Sequence, residues 1–191
     1  MLARGRMAYS ASAMKILAKS LAAFALTLTL ATSAQAPAKP LPSPPAQADA
    51  TLGGKRVTIH YNAPSMRGRK IMGELVPWDK IWRTGANPAT SFVTAVDLKI
   101  GALDVPAGSY TLYTVPEQAP SSWILVINKQ TGQWGTEYDQ KQDLGRTEMK
   151  LKKLASPQEV MSISFENVHG KSGELHVRWE TTDAWVKVEA K

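Results

Sequence analysis

Three arginines on two loops are the residues here best suited to chemistry. The stretch "MRGRK" places Arg67, Arg69 and Lys70 around Gly68, and Arg83 follows in "WRTGANPAT" (82–90). A guanidinium donates two parallel hydrogen bonds, a geometry that suits carboxylates, phosphates and sulfates. If the two loops meet, they form an anion-binding corner. The competing expectation is a solvated turn with an ion pair to Glu74 or Asp79.

Tryptophan is the second signal. The chain carries six: Trp78, Trp82, Trp123, Trp134, Trp179 and Trp185. Indoles stack on sugar rings and also fill β-sandwich cores. Trp123 and Trp179 lie in apolar runs and are expected in the core. Trp78, Trp82 and Trp134 lie in or beside Gly/Pro-rich loops, where a large apolar group needs a pocket or a ligand. The candidate ligand-binding set is therefore Trp82, Arg83, Asn87, Arg67, Arg69 and Trp134, with a glycan or another envelope ligand as the candidate partner.

Catalytic signals are weaker. There is no G-x-S-x-G elbow. The three histidines are His60, His169 and His176. His169 sits in a turn, and the other two alternate away from the apolar faces of their strands, so all are expected on the surface. The acid pairs Glu74/Asp79 and Glu137/Asp139 lie in polar loops without a distinctive spacing. No H-x-H, H-E-x-x-H or Asp-rich calcium loop occurs, and cysteine is absent. No catalytic residue, metal site or cofactor is assigned.

The chain has 191 residues, and the first thirty-six resemble an export signal. Arg4, Arg6, Lys15 and Lys19 precede the apolar run "LAAFALTLTLATSAQA", whose Ala34-Gln35-Ala36 ending suits signal peptidase. Met14 also begins a complete signal, so Met1 and Met14 are both candidate starts. Thr27 and Thr29 interrupt the run, which falls short of the ~20 apolar residues a spanning helix needs. The expectation is a periplasmic or secreted protein with no membrane span after cleavage. The whole chain has 23 basic and 16 acidic residues, a net of +7. Removing the four basic residues of 1–36 leaves 19 against 16, a net of +3. That charge gives no reason to expect nucleic acid.

Residues 37–51, with five prolines in "PAKPLPSPPAQADA", are read as a stiff spacer. A single domain is expected over 52–191. There the pattern is short and period-two. Strands are expected in 55–61, 91–100, 101–115 around a Pro-Ala-Gly turn, 121–128, 159–168, 173–180 and 184–190. A helical turn is expected within 136–145. Seven to nine such strands indicate an all-β antiparallel sandwich, with a barrel as the alternative. In the loop at 82–90, Gly85 is expected to supply a left-handed turn. Asn87, before Pro88, is expected to be extended. Trp82 is expected to plug the end of the sandwich.

Several segments together resemble one family of exported bacterial domains of unknown function. They are "HYNAPSMRGRKIMGELVPWDKIWRTGANPATSF", "GALDVPAGSYTLYTVP", "WILVINKQTGQWG", "YDQKQD" and "LHVRWETTDAWVKV". The most identifying run is "WRTGAN". The resemblance covers most of 54–190 and implies a small, exported, β-rich protein, with no activity or site to carry over. The leading reading is a binding module using the Trp/Arg loops. The alternatives are a hydrolase acting on an envelope component and a structural or protein-interaction domain.

Overall fold

The computed structural model describes residues 42–118, 120 and 122–191. The signal segment 1–36, both candidate starts and the first part of the spacer lie outside the described residues. Nine strands follow in order: β1 (Pro45–Leu52), β2 (Lys55–Asn62), β3 (Thr90–Thr94), β4 (Leu98–Ile100), β5 (Leu103–Val105), β6 (Gly108–Val115), β7 (Trp123–Asn128), β8 (Asp143–His169) and β9 (Ser172–Ala190). The helical turn expected in 136–145 is one 3₁₀ turn at Gln140–Gln142.

The strands form one antiparallel sheet in the order β1-β2-β3-β6-β7-β8-β9-β4-β5, open at both ends and so not a barrel. The long β8 makes it a sandwich. Up to Met149 it pairs with β7, and from Lys150 onward it pairs with β9. One strand thus serves both layers. Val57, Ile59, Phe92, Leu112 and Leu125 of the first layer share a core with Ile163, Leu175, Val177 and Val188 of the second. The layers are also tied by main chain. Met161 donates to the Pro64 carbonyl at 2.9 Å and Met66 to Glu159 at 2.8 Å. The Tyr61 hydroxyl accepts from the Ile163 N–H at 3.0 Å.

The expected strand 91–100 is divided between β3 and β4, and β8 begins at Asp143, well before the expected 159–168. Two further differences bear on the domain boundary and the site. Residues 45–51, read as spacer, belong to β1, which pairs with β2 along its whole length. Its inward residues are Ala48, Ala50 and Leu52. Alanine carries little period-two signal, so the prolines dominated the composition. Pro45 stands at the first strand position, where a missing N–H costs no ladder bond. A chain beginning at Leu52 is therefore expected to expose β2 as a raw edge and to aggregate or melt early. A chain beginning at Pro42 should melt like the full domain, and comparing the two by thermal denaturation checks the boundary.

The second difference is β9, which merges the expected strands 173–180 and 184–190. Leu175, Val177 and Trp179 point inward, then Ala184, Val186 and Val188 do. The inward set changes from odd to even positions. Glu180, with φ of 54°, produces this change of phase. Its consequence is that His176 and Asp183, seven residues apart, share a face.

Candidate functional site

Residues 63–89 connect β2 to β3 with no named strand or helix, an unusual length for a compact domain and a frequent mark of a functional loop. Isolated bridges pin it down: Ser65 to Val160, Trp82 to Thr114 and Pro88 to Trp134. Four of the six described non-glycine residues with positive φ lie here: Arg67, Asp79, Thr84 and Asn87. Thr84, at φ 51°, is the most telling, because a β-branched residue in the left-handed region is strained. Buried hydrogen bonds hold it there. Its hydroxyl lies 3.0 Å from that of Thr114, and its carbonyl accepts from Thr90 Oγ1 at 2.9 Å.

The turn geometry corrects two expectations. Asn87 is left-handed (φ 61°) rather than extended, a conformation asparagine tolerates. Its carbonyl accepts from Gly135 N–H at 3.2 Å, which anchors the bend. Gly85 does not supply the left-handed residue. It is needed for close approach, since a Cβ there would sit 3.1 Å from the Asn62 carbonyl and from Thr90 Oγ1.

Trp82 is only 8% exposed and closes the core as expected. Its ring stacks on Trp179 at 5.9 Å and meets Trp123 edge-on at 6.4 Å. Beside it opens a cavity of about 290 Å³ lined by Arg69, Leu75, Trp82, Arg83, Asn87 and Trp179, among others. No carboxylate is among its described lining residues.

The two cavity arginines are held differently. Arg69 is exposed and fixed by carbonyls: its Nε donates to Met66 at 2.9 Å and its Nη2 to Ser65 at 2.7 Å. Arg83 is half-buried, and its Nε is buried with no hydrogen-bond partner among the described residues. Burial pulls its pKa down from the usual arginine range. Neither pairs with Glu74 or Asp79. Glu74 instead meets Lys70 at 3.6 Å on the surface. Gly135 shapes the Arg83 site, because a Cβ there would fall 1.9 Å from Arg83 Cδ and 2.7 Å from the Asn87 carbonyl.

Of the six candidates, Trp82, Arg83, Asn87 and Arg69 come together at this cavity. Arg67 and Trp134 do not line it. The Arg67 guanidinium donates to the Pro42 carbonyl at 2.8 Å, and the Arg67 backbone N–H donates to the Glu159 carboxylate. Trp134 is 52% exposed, and its loop contributes through the neighbouring Gly135. Trp179, read as core alone, is also a cavity wall. A strand pattern reports which face a residue takes, not whether that face ends at an opening.

A second polar cluster lies on the outer face of β9. His60 is exposed as expected, but His176 is not: only 6% of it is accessible. Trp185 stacks over its ring at 6.0 Å, and Lys150 covers Trp185 in turn. His176 Nδ1 lies 2.8 Å from buried Asp183, and Nε2 faces Glu174 at 3.5 Å and Glu166 at 3.8 Å. Arg178 bridges Glu166 and Asp183. A base that activates a nucleophile needs a hydroxyl or thiol at its free nitrogen. Here that nitrogen meets carboxylates, so the arrangement holds charge together. Arg178 keeps the Glu166 carboxyl well below the ordinary range, at about 2.

Fold and site together define an open nine-stranded antiparallel β-sandwich with a cation-lined cavity under its longest loop. A family model described as "Protein of unknown function (DUF2911)" matches residues 43–188, and the chain belongs to that family. The match begins within two residues of β1. Comparison with curated proteins and with solved structures found no match to either.

Proposed function

We propose that this domain is an exported ligand-binding module whose Arg69–Arg83 cavity takes an anionic group of an envelope or extracellular component. Export rests on the segment 1–36. Binding rests on one observation above others: Arg83 is half-buried and desolvated, its Nε has no partner among the described residues, and its cavity has no described carboxylate. A cation placed this way costs folding free energy, which an arriving anion offsets. The neighbouring arginines are held by carbonyls, Arg67 by Pro42 and Arg69 by Ser65 and Met66, whereas the buried Arg83 Nε has no partner among the described residues. The strained Thr84 beside it is a further residue held against its own preference. Sugar stacking on Trp82 is disfavoured, because its ring is already stacked on Trp179.

Two substitutions test this. Arg83→Met removes the cation and keeps the stem, so its melting temperature should hold or rise while affinity for acetate or phosphate falls by roughly tenfold to a hundredfold. Gly135→Ala keeps the cation but displaces its side chain, and should weaken the anion comparably. Calorimetric titration of both variants is decisive. A destabilised Arg83→Met protein with unchanged anion affinity would make Arg83 structural and end the proposal.

A further inference from the structure

The cavity that holds Arg83 is lined by two unlike kinds of residue. Arg69 and Arg83 are the only charged ones among its described lining, and Pro64, Leu75, Val76, Trp82 and Trp179 line it as well. Trp179 offers the cavity a ring rather than a donor, because its Nε1 already donates to the Glu159 carbonyl at 3.2 Å. The cations are also partly engaged. Arg69 commits Nε and Nη2 to main-chain carbonyls, so the pair is better matched to a carboxylate, with one charge and two oxygens, than to a phosphate.

Leu75 stands apart from the rest of that wall. It is 46% exposed, whereas Ile71, Met72 and Val76 of the same turn are buried in the core. Main-chain bonds fix the turn. The Ile71 carbonyl accepts from the Glu74 N–H at 3.2 Å and from the Val76 N–H at 2.9 Å, and the Gly73 N–H donates to the Val76 carbonyl at 2.9 Å. The Met72 N–H donates to the Glu180 carboxylate at 3.0 Å. None of these bonds uses the Leu75 side chain. An apolar side chain held at a cavity wall by a fixed turn contributes free energy when something covers it.

We propose that the ligand of this cavity is a small organic acid whose carboxylate is carried directly on an apolar body, and that Leu75 selects for that body. The carboxylate meets Arg83 and Arg69, and the body displaces water from Leu75 and the apolar residues that line the same cavity. That chemistry is shared by a short acyl chain and by an aromatic acid. A volume of about 290 Å³ lies at the small end for ligand pockets, so it limits the body to a few carbons or one ring. This rests on the anion-site reading of the preceding subsection.

The test varies the body of the ligand at constant charge. The full chain and its Leu75→Ser variant are titrated with acetate, butyrate, phenylacetate and inorganic phosphate. Each methylene that leaves water tightens binding by about fourfold, so butyrate is expected to bind roughly tenfold tighter than acetate. Phosphate is expected to bind no tighter than acetate. Leu75→Ser should lose most of the butyrate gain, read as the butyrate-to-acetate ratio within the variant, which cancels any general weakening. Its melting temperature should stay close to that of the wild type, because an exposed side chain is changed. Phenylacetate tighter than butyrate assigns an aromatic acid, and the reverse order assigns an acyl chain. If acetate binds through Arg83 but neither larger acid is tighter, if phosphate exceeds both, or if Leu75→Ser keeps the full ratio, this inference is overturned and the anion site stands. If none of the four anions binds, both fall.

Discussion

Trp82→Ala is expected to lower domain stability by about 3–5 kcal/mol, the usual range for truncating a buried aromatic, and the melting temperature by roughly 10 °C or more. Trp82 contacts both Trp123 and Trp179, so its removal leaves a void between two other large rings. Aromatic pairs add to the area term, and two are lost here. The same change removes a wall of the Arg69–Arg83 cavity, so the proposed anion binding should fall with stability. Trp82→Phe keeps a ring and should lose markedly less of both. Thermal and urea denaturation check this. A loss below about 1 kcal/mol would mean that the loop end contributes little to the core.

The second large effect is expected at Asp183, which is 2% exposed and faces His176 and Arg178 together. Asp183→Ala leaves both without that carboxylate, and breaking a buried pair from one side costs about 3–5 kcal/mol. The same cluster sets a pH dependence. The Glu166 carboxyl is held at about 2 in the folded protein against 4.5 ordinarily, chiefly by the Arg178 hydrogen bonds. A depressed carboxylate contributes stability above its unfolded pKa and loses it as pH falls through the folded value. Arg178→Gln removes the cause. The gap in urea midpoint between wild type and variant should therefore be full above pH 4.5 and narrow as pH falls toward 2. Because the Glu166 side chain is 35% exposed, added salt should shrink that gap as well. A gap that stays constant with pH would remove Glu166 from the account.

The sequence by itself determined the strands whose inward residues are large. Val57-Ile59-Tyr61, the run from Trp123 to Asn128 and Leu175-Val177-Trp179 each show their period in side-chain bulk, and an antiparallel all-β fold follows from their spacing. It also singled out Trp82 as a core plug and the arginine loops as a place to look. β1 and the first half of β8 were lost because Ala48, Ala50, Thr147 and Met149 give a faint pattern among lysines and prolines.

Only the tertiary structure decided what covers each outward face and what each charge meets. Alternation placed His176 opposite the core, but Trp185 and Lys150 cover that side, and the phase change at Glu180 delivers Asp183 to it. The placement of Arg83 depends on Gly135, fifty-two positions along the chain. The bridge between Pro88 and Trp134 brings the two together, and nothing local to either residue encodes that meeting. A one-dimensional pattern records the preferences of a residue, whereas desolvation and partnership belong to the set of atoms around it. Those two properties separate a solvated surface arginine from one half-buried in a cavity.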